Sequence, residues 1–209
     1  MASRIGPILL PEPGHKQSGY FTFDDPLLGE YQWPYFAVVG PEPGLTFLLT
    51  AGIHAAEYTG TLAALRLGQH VQPEHVRGTI IIIPLLNRPG FFERSIYTNP
   101  EDGQNLNRAF PGKVDGTWSE RFAHHLLNDV VVHVDRAMDL HAGDMVEDLE
   151  PFLGYFATGD RKIDDSLAAS GRACCTVPRP NRACQPSWPS RAAAVCRSKG
   201  ISSVTWTAC

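Results

Sequence analysis

The first 173 residues of the chain contain no cysteine, and all five (Cys174, Cys175, Cys184, Cys196 and Cys209) crowd into the C-terminal segment. An odd count without a secretory signal argues against a disulfide framework. With no CxxC pair, a cysteine metal site is disfavoured as well. The opening MASRIGPILLPEPGHK lacks the basic stretch and long apolar run of a signal peptide, so the expectation is a cytoplasmic protein. No stretch is long and apolar enough to span a bilayer as a helix. A formal charge of −4, with both signs mixed through most of the chain, leaves neither a basic stripe for nucleic acid nor a cationic face for a membrane. Acids are missing too: Ser166 to Cys209 holds no Asp or Glu, while Arg, Cys, Pro, Ser and Trp are dense there. That shift divides the chain into a domain over 1–165 and a segment, 166–209, that reads as a degenerate or out-of-register continuation of it. Small-molecule or peptide chemistry is what these absences leave.

At 209 residues and 43% hydrophobic, the chain is large enough to bury a core. Strand-like and helix-like runs alternate from Tyr35 to Asp165, which predicts an α/β fold. TFLLTAG, GTIIIIPLLN, RAMDLHAG and PFLGYFATG are the candidate strands, rich in large apolar or β-branched residues. EYTGTLAALRLGQHV and SERFAHHLLNDVVVHV carry apolar residues at helical spacing, the second with Ser119 as its expected N-cap. RPGFFERSIYTNPEDGQNLNRAFPGKVDGTW is weakly periodic and rich in Gly, Pro and Asn, and is expected to be a long functional loop. No internal repeat is present.

The chemistry-bearing residues stand at strand ends. In TAGIHAAEYTG, His54 and Glu57 follow an apolar run and can turn back to one point, as two of the three protein ligands of a hydrolytic zinc site. His141, at the end of MDLHAGD, supplies a third ligand. Alternation along a strand puts Asp139 on the same side as His141, where its carboxylate can accept the ring's other N–H and orient it. His124 and His125 are adjacent in a helical stretch and read as one surface residue and one packed residue.

GIHAAEYTG, GQNLNRAFPG and DLHAGD, in this order and spacing, resemble the succinylglutamate desuccinylase/aspartoacylase family, the deacylase branch of the zinc carboxypeptidase superfamily, with Ala55 where the family usually has glycine. The resemblance covers roughly Tyr35 to Asp165. It implies a mixed, largely parallel twisted sheet flanked by helices, incomplete at its C-terminal part, and one zinc ion on His54, Glu57 and His141. It further implies that Asn107 and Arg108 face a small-molecule N-acyl amino acid or similar carboxylate, and that Arg94 acts on the scissile carbonyl. The planar fork of an arginine suits a carboxylate, and an asparagine offers a donor and an acceptor beside it.

Two departures bear on activity. Relatives carry a glutamate base on a later strand, where KGISSVTWTAC places Thr207, a residue that cannot accept a proton near neutral pH. Relatives also continue into a C-terminal β domain that this chain is expected to lack. The resemblance therefore implies a zinc-dependent deacylase. A metal-binding but inactive homologue and a carboxypeptidase-type peptidase are the alternatives, Asp144 is the next candidate for the base, and self-association into a homo-oligomer stays open.

Overall fold

The computed structural model describes residues 3–144 in full, together with the backbone of 153–155 and 192–198. A small antiparallel pair, β1 (Arg4–Ile5) and β2 (Ile8–Leu9), precedes the main sheet. That sheet is built from β3 (His15–Phe21), β4 (Trp33–Val39), β5 (Glu42–Ala51), β6 (Arg77–Ile83), β7 (Arg136–Ala142), β8 (Leu153–Tyr155) and β9 (Ala192–Ser198), in the order β3-β4-β6-β5-β7-β9-β8. It is mixed, as expected. β5 runs parallel to both β6 and β7, and β8 parallel to β9, while β3–β4, β4–β6 and β7–β9 are antiparallel. Strand β9 falls within the acid-free stretch and pairs with β7 along seven residues, so this part of the stretch extends the sheet.

Side chains alternate across each strand, and here the alternation feeds two cores. Leu48, Ile81, Ile83, Ala37 and Ala137 point into a large aromatic-rich core with Trp33, Phe23 and Phe122. Their neighbours Leu49, Ala51 and Ile82 point the other way, into a smaller core with Ala64, Phe36 and Met138. Helix α1 (Tyr58–His70) covers the second face. It lies close because glycines meet the sheet: a Cβ on Gly68 would come within 2.3 Å of the Phe36 ring, and one on Gly60 within 2.9 Å of the Leu140 carbonyl oxygen.

On the first face, Trp33 is fully buried, donates its indole N–H to the Leu86 carbonyl at 2.9 Å and packs against Phe21, Phe23 and Phe122. The long loop is not devoid of elements. It contains α2 (Arg88–Glu93) and a 3-10 turn at Leu106–Arg108. Helix α3 (Trp118–His125) comes next and continues into a π-helical turn at Leu126–Val130. Its cap is Thr117 rather than the expected Ser119. Thr117 and Glu120 form a reciprocal capping box, whereas Ser119 gives both its N–H and its hydroxyl to Asp102. Position N3 decides this: the box needs a glutamate three residues after the cap, and Glu120 stands there for Thr117.

Thr117→Ala removes the cap and is expected to lower unfolding free energy by about 1 kcal/mol, read by urea denaturation. Ser119→Ala, which leaves the box intact, should not reproduce a capping loss in the isolated 117–133 peptide, where Asp102 is absent and helicity is read by circular dichroism.

Candidate metal centre

Strand β5 ends at Ala51, and the chain turns at Gly52, whose φ of +68° lies in the left-handed region that glycine adopts freely. The turn is fixed to the exit of β6 by hydrogen bonds from Leu86 and Asn87 N–H to the Ala51 and Gly52 carbonyls, both at 2.9 Å. It delivers His54 and then Glu57, the residue at the start of α1. Glu57 makes no side-chain cap bond to the helix, because its carboxylate turns instead toward the two histidines. His141 arrives on β7, the parallel neighbour of β5.

The three residues converge as the sequence suggests, with one potential ligand atom from each lying within 4.8 Å of the others. Glu57 Oε1 is 2.7 Å from His54 Nδ1, and Oε2 is 3.0 Å from His141 Nδ1 while also accepting the Ala142 N–H at 2.9 Å. Each imidazole has its other nitrogen held from behind. His54 Nε2 lies 3.3 Å from Asn105 Oδ1, and His141 Nε2 makes a 2.8 Å ion-pair contact with Asp139 Oδ2. His54, Glu57 and Asp139 are all buried.

This donor set fits a metal ion. With both Nε2 atoms facing oxygens, the two Nδ1 lone pairs and the Glu57 carboxylate are the groups left to coordinate, and a cation among them would relieve the need for protons on the Nδ1 atoms. Burial alone would push the Glu57 carboxyl up, but hydrogen bonds from His141 and His54 outweigh it and hold the group down at about 2. Burial would likewise lower His141, yet the Asp139 and Glu57 carboxylates prevail and raise it to about 10.

Around this centre the loop residues take different positions. Asn107 is buried, and its Oδ1 has no hydrogen-bond partner among the described residues. Arg108 is exposed and bonds the Asn107 carbonyl at 3.3 Å. Arg94 is also exposed, at the left-handed C-cap of α2 with φ +57°, three residues before Tyr97. Asp144 accepts the Tyr97 hydroxyl at 2.8 Å, and the Tyr97 ring stands edge-on to His54 with centroids 5.3 Å apart. His124 and His125 lie away on α3, where His125 stacks on Phe23 and bonds Asp129. Thr207 lies outside the described residues. Sequence reasoning missed Asn105 and Tyr97. Asn105 carried a signal, since an Asx turn in GQNLNR bonds the Asn107 N–H and aims the same oxygen at His54. Tyr97 carried none that spacing could show.

A mixed sheet with a His/Glu/His constellation at the C-terminal ends of adjacent parallel strands defines a zinc carboxypeptidase-like fold. A metallo-carboxypeptidase from Pseudomonas aeruginosa shares that fold, with a TM-score of 0.51 at 13% identity over 79% of this chain and 52% of its own. Within the fold class, the chain belongs to the succinylglutamate desuccinylase/aspartoacylase family, whose catalytic-domain model matches residues 43–173. It is 40% identical over 123 residues to N-alpha-acetyl-L-2,4-diaminobutyric acid deacetylase of Halomonas elongata, covering 59% of this chain and 36% of that protein. A succinylglutamate desuccinylase structure from Silicibacter sp. TM1040 aligns with a TM-score of 0.67 at 33% identity, over 79% of this chain and 51% of that one. The chain thus spans between about a third and a half of the length of these relatives.

A His141 raised to about 10 is protonated at neutral pH in the metal-free chain, so its stabilising contribution is complete below 6.5 and fades as pH climbs through 10. A metal ion must displace that proton. Zinc affinity is therefore expected to rise about tenfold per pH unit between roughly pH 6 and 7.5, with about one proton released per ion, measured by titration calorimetry in buffers of different ionisation enthalpy. Affinity that stays flat across this window would remove His141 as the proton source.

Proposed function

We propose that this chain carries the metal centre of a zinc-dependent deacylase acting on the amide bond of N-acyl amino acids, with one zinc ion on His54, Glu57 and His141. The observation that carries the reading is the meeting of two imidazole Nδ1 atoms and a carboxylate at adjacent strand ends. Membership in the deacylase family supports it, as does the similarity to the Halomonas deacetylase, whose named substrate is an acetylated diamino acid. A zinc ion held by His54, Glu57 and His141 would supply Lewis acidity toward an amide carbonyl and a water molecule near neutral pH.

The protein's own groups have separate tasks in this reading. Asp139 holds His141 in one orientation. Asn107, with a buried amide oxygen awaiting a donor, and Arg108, with its planar fork, receive the substrate's polar groups and carboxylate. Arg94 is the donor that meets negative charge developing on the carbonyl oxygen. The proton acceptor is the weak point. Thr207 stands where the family's glutamate is expected, and general-base catalysis contributes roughly 10²–10⁴-fold. This favours a second reading, in which the chain binds metal but turns substrate over slowly. Asp144, stationed beside His54 through Tyr97, is the acid next in line for the task.

Purified chain is expected to hold about one zinc per molecule, and His141→Ala should remove most of it. Stoichiometric zinc in a His54→Ala/His141→Ala double variant would overturn the site. With N-acetyl-2,4-diaminobutyrate as first substrate, Thr207→Glu should raise turnover at least about tenfold. Equal turnover before and after would place the base elsewhere, and Asp144→Asn would then be the variant expected to abolish it.

A further inference from the structure

Behind His141 the site continues one residue deeper than its ligands and their immediate supports. Thr50 and Asp139 are register partners on the parallel strands β5 and β7, and both are buried. The Thr50 hydroxyl donates to Asp139 Oδ1 at 2.7 Å, and Asp139 Oδ2 faces His141 Nε2 at 2.8 Å. An Asp side chain rotates about its terminal bond with little resistance. Asp139, wholly buried, has one carboxylate oxygen held by Thr50 and the other turned to the imidazole.

The two histidines are not supported alike. His54 Nε2 meets a neutral amide oxygen at 3.3 Å, whereas His141 Nε2 meets a carboxylate at 2.8 Å. A carboxylate makes an imidazole a stronger metal donor than an amide does, provided the carboxylate stays against the ring. Removing the Thr50 hydroxyl would take the donor away from buried Oδ1 and free the carboxylate to rotate away from the ring.

Resting on the reading of His54, Glu57 and His141 as metal ligands, we propose that Thr50 is a positioning residue of the metal centre, acting through Asp139 to lock the His141 ring in its ligating orientation. It stands four residues before His54, on the strand that leads to that ligand. β5 therefore delivers one ligand directly and steadies the other from behind, so the two halves of the centre share a single strand.

The test is zinc affinity by chelator competition, alongside melting of the metal-free protein. Thr50→Val keeps the shape and loses the donor, and is expected to weaken zinc binding about 10–100-fold. Thr50→Ser restores the hydroxyl and should bind within about threefold of the unsubstituted chain, in line with a recovered outer-sphere bond. A double-mutant cycle fixes the route: if Thr50 acts through Asp139, Thr50→Val should add almost nothing to Asp139→Ala. Full additivity, or a Thr50→Val variant that melts earlier but binds zinc as tightly as before, overturns the proposal. If Thr50→Val does not fold, Thr50→Ala takes its place in the same cycle. Failure of the unsubstituted chain to bind zinc would overturn the metal-site reading itself, and this inference with it. Tight wild-type binding with an unaffected Thr50→Val overturns the inference alone.

Discussion

A buried carboxylate with three donors around it sets the terms for the whole molecule. Glu57 lies between two imidazoles and the Ala142 N–H, and a charge removed from water is tolerated only where such partners are already in place. Meeting that requirement fixes the β5–β7 register, because a slip of one residue would send His141 and Asp139 to the opposite face. It also fixes the turn at Gly52 and the direction in which α1 leaves it. The two cores then act as clamps. The aromatic cluster on one face and the α1 layer on the other hold the strands at the spacing that the carboxylate needs.

Much of this was legible in the residues. The apolar runs of β5, β6 and β7 stand out because these strands are covered on both faces, and such runs are easily seen. The strands that escaped notice have other compositions. β3 reads HKQSGYF and is only partly buried at the sheet edge, β4 carries a proline in its second position, and β9 is rich in alanine. Helix α2 did carry a signal in Asn87 followed by Arg-Pro, a cap and an early proline, hidden inside a stretch whose overall composition is that of a loop.

The centre divides in the same way. His54, Glu57 and His141 could be picked out because ligand chemistry restricts the residue types, and strand ends restrict their positions. Asp139 followed from period-two alternation within one strand. Thr50 and Tyr97 reach the centre through contacts between segments distant in sequence, and no pattern along the chain encodes which threonine lies opposite which aspartate. Arg94 and Arg108 are exposed at the surface rather than drawn into the cluster.

The bond between Glu57 and His141 spans 84 residues. It encloses α1, β6, α2, the loop and α3 in one large noncovalent ring. Closing a ring of that size is entropically slow to reward, since the chain must first be brought together by pairing that is itself nonlocal. The three groups therefore meet only where β5 and β7 lie side by side, and not by local encounter alone. Without the β5–β7 pairing, His54 and Glu57 are neighbours along the chain but have no third group to join them. The trio is thus complete only in a chain whose β5 and β7 strands are paired in register.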